Sequence, residues 1–275
     1  MNLKKLGSRV LVAMFGAPLI IYLVLKGGWP FVILVAIINV VAQFEFYKLN
    51  ELKGAWPFKI LGAICTIFIT VFFYRYGIEN SWIIFLAFFY IILHLELFRQ
   101  KDSATLNIAT SAWGLFYPAY FFSFHILIRE LPRSVAVDYS YGGKWILIML
   151  ITIWICDTAA YFVGSLAGKH KLYERISPHK TVEGAIAGFI FALITAYVFH
   201  VTLLKDLSLL HCMAIGLIAG AFSQIGDLAE SVFKRDVGVK DTSSILPGHG
   251  GFLDRFDAPL FVAPLVYLYL RFVVY

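Results

Sequence analysis

Residues 145–167 read WILIMLITIWICDTAAYFVGSLA, twenty-three positions carrying a single charged side chain, Asp157. A helix rises 1.5 Å per residue and the hydrocarbon core of a bilayer is about 30 Å thick, so a run of about 20 apolar residues spans it. Outward from this segment the same pattern recurs, and spans are expected near 10–26, 29–47, 58–75, 82–98, 108–128, 145–167, 185–204, 208–226 and 258–275. Two junctions are very short, Gly27-Gly28 and Lys205-Asp206-Leu207. The expected fold is an all-α polytopic transmembrane helix bundle of about nine spans, forming a single integral membrane domain over 1–275.

The composition agrees. Of 275 residues, 60% are hydrophobic and 15% charged, against about 25% charged in a soluble domain. Such a chain is neither disordered nor a disulfide-stapled secreted scaffold. Cys65, Cys156 and Cys212 stand singly in apolar stretches and read as small buried side chains. The net charge of +6 suits cytoplasmic loops facing anionic lipid; no nucleic-acid-binding motif is present. The basic start, Met1 to Arg9, followed by apolar Val10 to Leu25, imitates a signal peptide but lacks a small-residue cleavage site, so it reads as the first span. With the N-terminus inside, 16 of the 23 Lys and Arg fall in inner segments and 7 in outer ones, which places the N-terminus in the cytoplasm.

On that topology the two most polar loops, 168–184 and 227–257, emerge on the cytoplasmic side. The second holds Asp227, Glu230, Asp236, Asp241, Asp254 and Asp257 beside Lys234, Arg235, Lys240, Arg255 and His249. Carboxylates among cations suit a site that holds Mg²⁺ and phosphates together, because Mg²⁺ takes oxygen ligands from one or two carboxylates plus substrate phosphate. A solvated, salt-bridged connector is the other reading. If a helix continues past Gly226, then Asp227, Glu230, Ser231 and Lys234 share a face, opposite Leu228, Ala229, Val232 and Phe233. Such a helix end can lean its apolar side on the bundle and turn a carboxylate stripe toward a cavity, or lie as an amphipathic interfacial helix with a Glu230–Lys234 pair; the pattern is the same for both. Pro247-Gly248-His249-Gly250-Gly251 offers backbone N–H groups that can form an anion-binding concavity. Asp254 and Asp257 share a face if a helix begins there, and Asp254 also suits an N-cap.

In the first loop, Ser177 as N-cap with Pro178 at the first helical position predicts a helix start. Lys180 and the nearby hydroxyls could then receive a phosphate. Asp157, deep in its span, should face the bundle interior or a wet cavity. Glu45, His94, Glu96 and His125 read as structural.

The run Ser231–Asp257, SVFKRDVGVKDTSSILPGHGGFLDRFD, resembles the signature of the phosphatidate cytidylyltransferases, or CDP-diacylglycerol synthases: S-x-x-K-R, then K-D, then P-x-H-G-G-x-x-D-R-x-D. Upstream, Asp157-Thr158, Ala160-Tyr161, Gly164, Ser177-Pro178, Lys180-Thr181 and Glu183-Gly184 are also similar to that family, so the resemblance covers roughly 150–257. His179 departs from the residues usual there and is given no role.

The resemblance implies Mg²⁺-dependent transfer of CMP from CTP to phosphatidate in the inner, cytoplasmic membrane, giving CDP-diacylglycerol and pyrophosphate. Residues 145–275 would then supply the catalytic helices and loops, and 1–144 the N-terminal helices. Asp227 and Asp254 would be metal ligands, with Asp257 a third. Lys234, Arg235, Lys240 and Arg255 would hold phosphates beside Asp241. His249, Gly250 and Gly251 would line the pocket. Ser177, Lys180, Thr181 and Glu183 would complete it from the other loop, with Asp157 serving the same site. A second cation and a homodimer belong to the same expectation. Competing readings are a CTP-dependent polyprenol kinase, another lipid cytidylyltransferase, and a membrane transporter for which Asp157 would be an ion site.

Overall fold

The structure, a computed structural model, describes residues 3–245 and 250–275, with side chains from Met14 onward. His249 therefore lies outside the described residues, as do the side chains at the start of the expected first span. In chain order the helices are α1 (Leu3–Lys26), α2 (Gly28–Glu51), α3 (Lys59–Tyr76), α4 (Trp82–Arg99), α5 (Ala104–Gly114), a π-helical turn (Leu115–Tyr120), α6 (Phe121–Val135) and α7 (Ser140–Ala167). Two short strands follow, β1 (Lys171–Tyr173) and β2 (Ser177–Thr181). Then come α8 (Val182–Thr202), α9 (Leu209–Asp236), α10 (Leu253–Tyr269) and a terminal π-turn (Leu270–Val274).

Among the described residues, seven helices are long and apolar enough to cross a membrane: α2, α3, α4, α7, α8, α9 and α10 with its π-turn. Helix α1 adds a shorter apolar stretch, Met14–Lys26. Large apolar side chains such as Ile60, Phe98, Leu166 and Phe272 are exposed, as a lipid-facing surface requires. The chain divides into two compact units, one comprising Met1–Leu127 with Asp236–Phe256, the other Ile128–Arg235 with Asp257–Tyr275.

In the first unit, the stretch expected as one span over 108–128 is broken by the π-turn. Pro118 has no N–H to offer the Gly114 carbonyl one turn back. The buried Gln43 side chain donates to that carbonyl instead, Nε2 to O at 3.2 Å. Asn39 Nδ2 donates to Ala119 O at 2.8 Å. Backbone groups have no water to turn to in an apolar interior, and polar side chains on α2 supply what the proline removed.

In the second unit, α7 and α8 approach closely along glycines. A Cβ on Gly184 would lie 2.6 Å from the Ala160 carbonyl oxygen and 3.1 Å from Gly164 Cα, and one on Gly188 would lie 2.8 Å from the Cys156 carbonyl oxygen. The obstacles are backbone, which cannot rotate aside. Gly184→Ala is therefore expected to cost about 1–3 kcal/mol, read as a lowered midpoint in thermal unfolding of the detergent-solubilised protein.

The expected helix start at Ser177 is not found. Ser177–Thr181 is a strand, paired antiparallel with Lys171–Tyr173. Thr181, in extended conformation, is the N-cap of α8, and its Oγ1 accepts from Gly184 N at 3.2 Å. The capping signal at Ser177 lost to hairpin pairing, which satisfies more backbone groups than one cap does.

Candidate active site

Helix α9 does continue past Gly226, as the spacing requires, and reaches Asp236. Its polar face is the more enclosed one: Glu230, Ser231 and Lys234 are buried, Asp227, Leu228, Ala229 and Phe233 are half-buried, and Val232 is exposed. In a lipid-facing helix the apolar face goes outward and the polar face seeks partners inside. Glu230 and Lys234 form an ion pair one turn apart with little exposed surface. Removing either member would leave the other as an uncompensated buried charge.

Asp227 begins this face. Its Oδ2 is ion-paired with Lys180 Nζ at 2.6 Å, and its Oδ1 receives the Ser231 hydroxyl at 3.4 Å. Lys180 reaches it from β2, and the turn before that strand also meets α9, where Arg235 Nε donates to Ile176 O at 3.1 Å. The hairpin is fixed at its root by Glu183. That carboxylate accepts from the backbone N–H of Lys169 at 3.1 Å and of His170 at 3.2 Å, and pairs with His170 Nδ1 at 2.6 Å. Glu183 thus orients the hairpin that presents Lys180.

Asp257 enters from α10. Gly226 permits that approach, since a Cβ there would lie 2.7 Å from Phe261 Cβ and 3.2 Å from the Asp257 carbonyl oxygen. The Asp257 carboxylate is buried and accepts the Ala258 N–H at 2.7 Å. It lies in the negative fields of Asp227 and Asp157 and the positive field of Lys234. Asp157 is exposed rather than enclosed. Three carboxylates and two lysines of one unit thus share a neighbourhood, brought from α7, β2, α9 and α10.

Among the described residues, no group of three His, Cys, Asp or Glu side chains is placed to hold a metal ion unaided. The donors are nonetheless carboxylate oxygens, which is the chemistry a hard divalent cation prefers. A pair of them with substrate phosphates completes the usual Mg²⁺ shell.

The other unit holds a second polar cluster, at Thr242–Ser243 and Gly251–Asp254. Asp254 Oδ2 accepts from Thr242 N, Thr242 Oγ1 and Gly251 N, each at 2.8 Å. Glu45 of α2 is almost wholly buried, at 1% exposure. It accepts from Ser243 Oγ at 2.6 Å, Thr242 Oγ1 at 3.1 Å, Phe252 N at 3.1 Å and Leu253 N at 2.8 Å. Lys240, Asp241 and Arg255 are exposed, and Gly250 has φ +83°. Sequence reading left Glu45 as structural. The available signal was an acid inside a span, which must find partners, but those partners lie about two hundred residues away.

A model of the cytidylyltransferase family matches residues 7–273. This chain belongs to the cytidylyltransferase family. The enzyme is 34% identical to a phosphatidate cytidylyltransferase of Bacillus subtilis over 96% of this chain and 97% of that one. It is 49% identical to a phosphatidate cytidylyltransferase of Staphylococcus saprophyticus over 46% of this chain and 49% of the relative. A third, from Staphylococcus haemolyticus, is 39% identical over 66% and 64%. The enzyme is a nucleotidyltransferase with the helices of a multi-pass membrane protein, which the transporter reading does not accommodate.

Proposed function

We propose that the enzyme transfers CMP from CTP to phosphatidate at the cytoplasmic face of the membrane, with Mg²⁺, releasing pyrophosphate and leaving CDP-diacylglycerol. The reading is carried by one observation: Asp227, ion-paired with Lys180, and the buried carboxylate of Asp257 lie within electrostatic reach of one another, with Lys234 and Asp157 acting on the same carboxylate. The relatives named above supply the substrate class.

In the reaction a phosphate oxygen of phosphatidate attacks the α-phosphorus of CTP, and the bond from that phosphorus to the bridging oxygen breaks with its electron pair leaving on pyrophosphate. Both reactants are polyanions, so the protein's work is to hold them in line and offset their repulsion. Lys180 and Lys234 stand by the carboxylates and meet phosphate oxygens there, with Arg235 on the same helix as Lys234; Lys240 and Arg255 are phosphate-holding cations on the sequence resemblance. Asp227 and Asp257 would hold the divalent ion, whose charge would neutralise the phosphates. Asp254, three residues before Asp257 in the same helix, is a further oxygen donor on the sequence resemblance. No side chain has to form a covalent bond.

The test uses purified enzyme, phosphatidate in mixed micelles and CTP labelled at either the α- or the γ-phosphate. Label from the α-position should enter lipid and label from the γ-position should leave as pyrophosphate. Entry of γ-label into lipid would make the enzyme a CTP-dependent lipid kinase. Chelation by EDTA is expected to reduce transfer to background and added Mg²⁺ to restore it; full activity in EDTA would remove the ion from the scheme.

A further inference from the structure

We propose that Glu45 is a positioning residue of the reaction, a carboxylate clasp that ties Thr242 and Ser243 to the start of α10 and sets that helix's first turn. The activity arm of the test below rests on the CMP-transfer reading.

Four donors reach this one carboxylate from both sides of the segment 246–251. Thr242 and Ser243 precede it; Phe252 and Leu253 follow it. The Thr242 hydroxyl shares its one proton between Glu45 at 3.1 Å and Asp254 at 2.8 Å. Ser243 and Phe252 share Oε1, while Thr242 and Leu253 share Oε2. Each oxygen therefore ties one flank of the loop to the other.

Phe252 and Leu253 N–H groups belong to the first turn of α10, where no intrahelical acceptor exists. A carboxylate at a helix N-terminus also meets the positive end of the backbone dipole. This compensates a negative charge placed out of water. The clasp is tight around the backbone: a Cβ on Gly251 would lie 2.5 Å from Glu45 Oε2 and on top of the Thr242 hydroxyl. Asp254 repeats the arrangement from the other direction through Thr242 and Gly251. Glu45 makes no contact with reacting atoms in this scheme; it acts through Thr242, Ser243 and the first turn of the helix that carries Asp254.

Charge and shape are separable here. A glutamine in this place keeps the volume but offers one oxygen and an amide NH₂. The NH₂ then faces a backbone N–H, either that of Phe252 or that of Leu253, so one flank loses its acceptor. A displacement of about 1 Å at a reacting group can cost about 100-fold in rate.

The experiment compares the full-length wild-type enzyme with Glu45→Gln in detergent, reading thermal midpoint, kcat and KM for CTP, and amide exchange by mass spectrometry of peptides covering 250–256. The expected result is kcat per folded enzyme lower by about 100-fold with KM for CTP changed less than about threefold. Exchange at 252–253 should be at least about tenfold faster, while peptides from α7 and α8 are unchanged. Wild-type kcat in the folded fraction, a change in KM alone, or exchange at 252–253 equal to wild type would each overturn the proposal. If Glu45→Gln does not fold, Ser243→Ala and Thr242→Val, which each remove one donor, must show the same local exchange change or the clasp is refuted. Should wild-type enzyme transfer no CMP, the substrate reading fails, and the exchange comparison still decides whether Glu45 clasps the start of α10.

Discussion

Asp227→Asn is expected to leave the protein folded and to lower CMP transfer by about 10³-fold. The carboxylate is about one-third exposed and its partner Lys180 similarly so, and an exposed pair of this kind contributes little to stability. The thermal midpoint should therefore move by no more than a few degrees. The chemistry should suffer far more. Asparagine removes one negative charge from a neighbourhood that must hold a cation against two polyanions, and it leaves Lys180 without its counter-charge. Single-turnover transfer of α-labelled CMP at saturating Mg²⁺, normalised to folded enzyme, is the measurement. A rate within about tenfold of wild type would show that Asp227 only tethers the β-hairpin to α9.

Asp254→Asn and Asp254→Ala should differ in a way that separates charge from architecture. Asparagine can set its carbonyl oxygen where Oδ2 now lies and keep the three donors from Thr242 and Gly251. The fold should persist while turnover falls by about 10²–10³-fold through loss of charge. Alanine leaves those donors without their acceptor, at about 1–3 kcal/mol for each that stays out of water. A lowered thermal midpoint should then accompany the lost activity. If asparagine were fully active and alanine inactive, Asp254 would be an anchor of the loop and no ligand of an ion.

The two substitutions also mark how far the sequence could be read. Asp227, Asp254 and Asp257 stood out because acids are scarce in an apolar chain, and the helix over Asp227–Lys234 followed from spacing. Which way that helix faced did not follow. An apolar face goes inward in water and outward in lipid, and periodicity is the same in both cases. Ser177-Pro178 read as a helix start because capping is a local rule; pairing with Lys171–Tyr173 overrode it. The span expected over 108–128 contains Pro118, and the Gly114 carbonyl that it leaves without a backbone donor is met by Gln43 on α2.

By itself, the sequence determined the solvent and the chemistry. Long apolar runs require helices in lipid, since backbone groups there must be satisfied within the segment, and rare charged residues kept at that cost have work to do. Only tertiary structure decided partnership. Lys180 joins Asp227 because a hairpin folds back onto α9, and Glu45 meets Phe252 and Leu253 across about two hundred residues. A hydrogen bond is set by position in space, and linear spacing carries that information only within a turn or a strand.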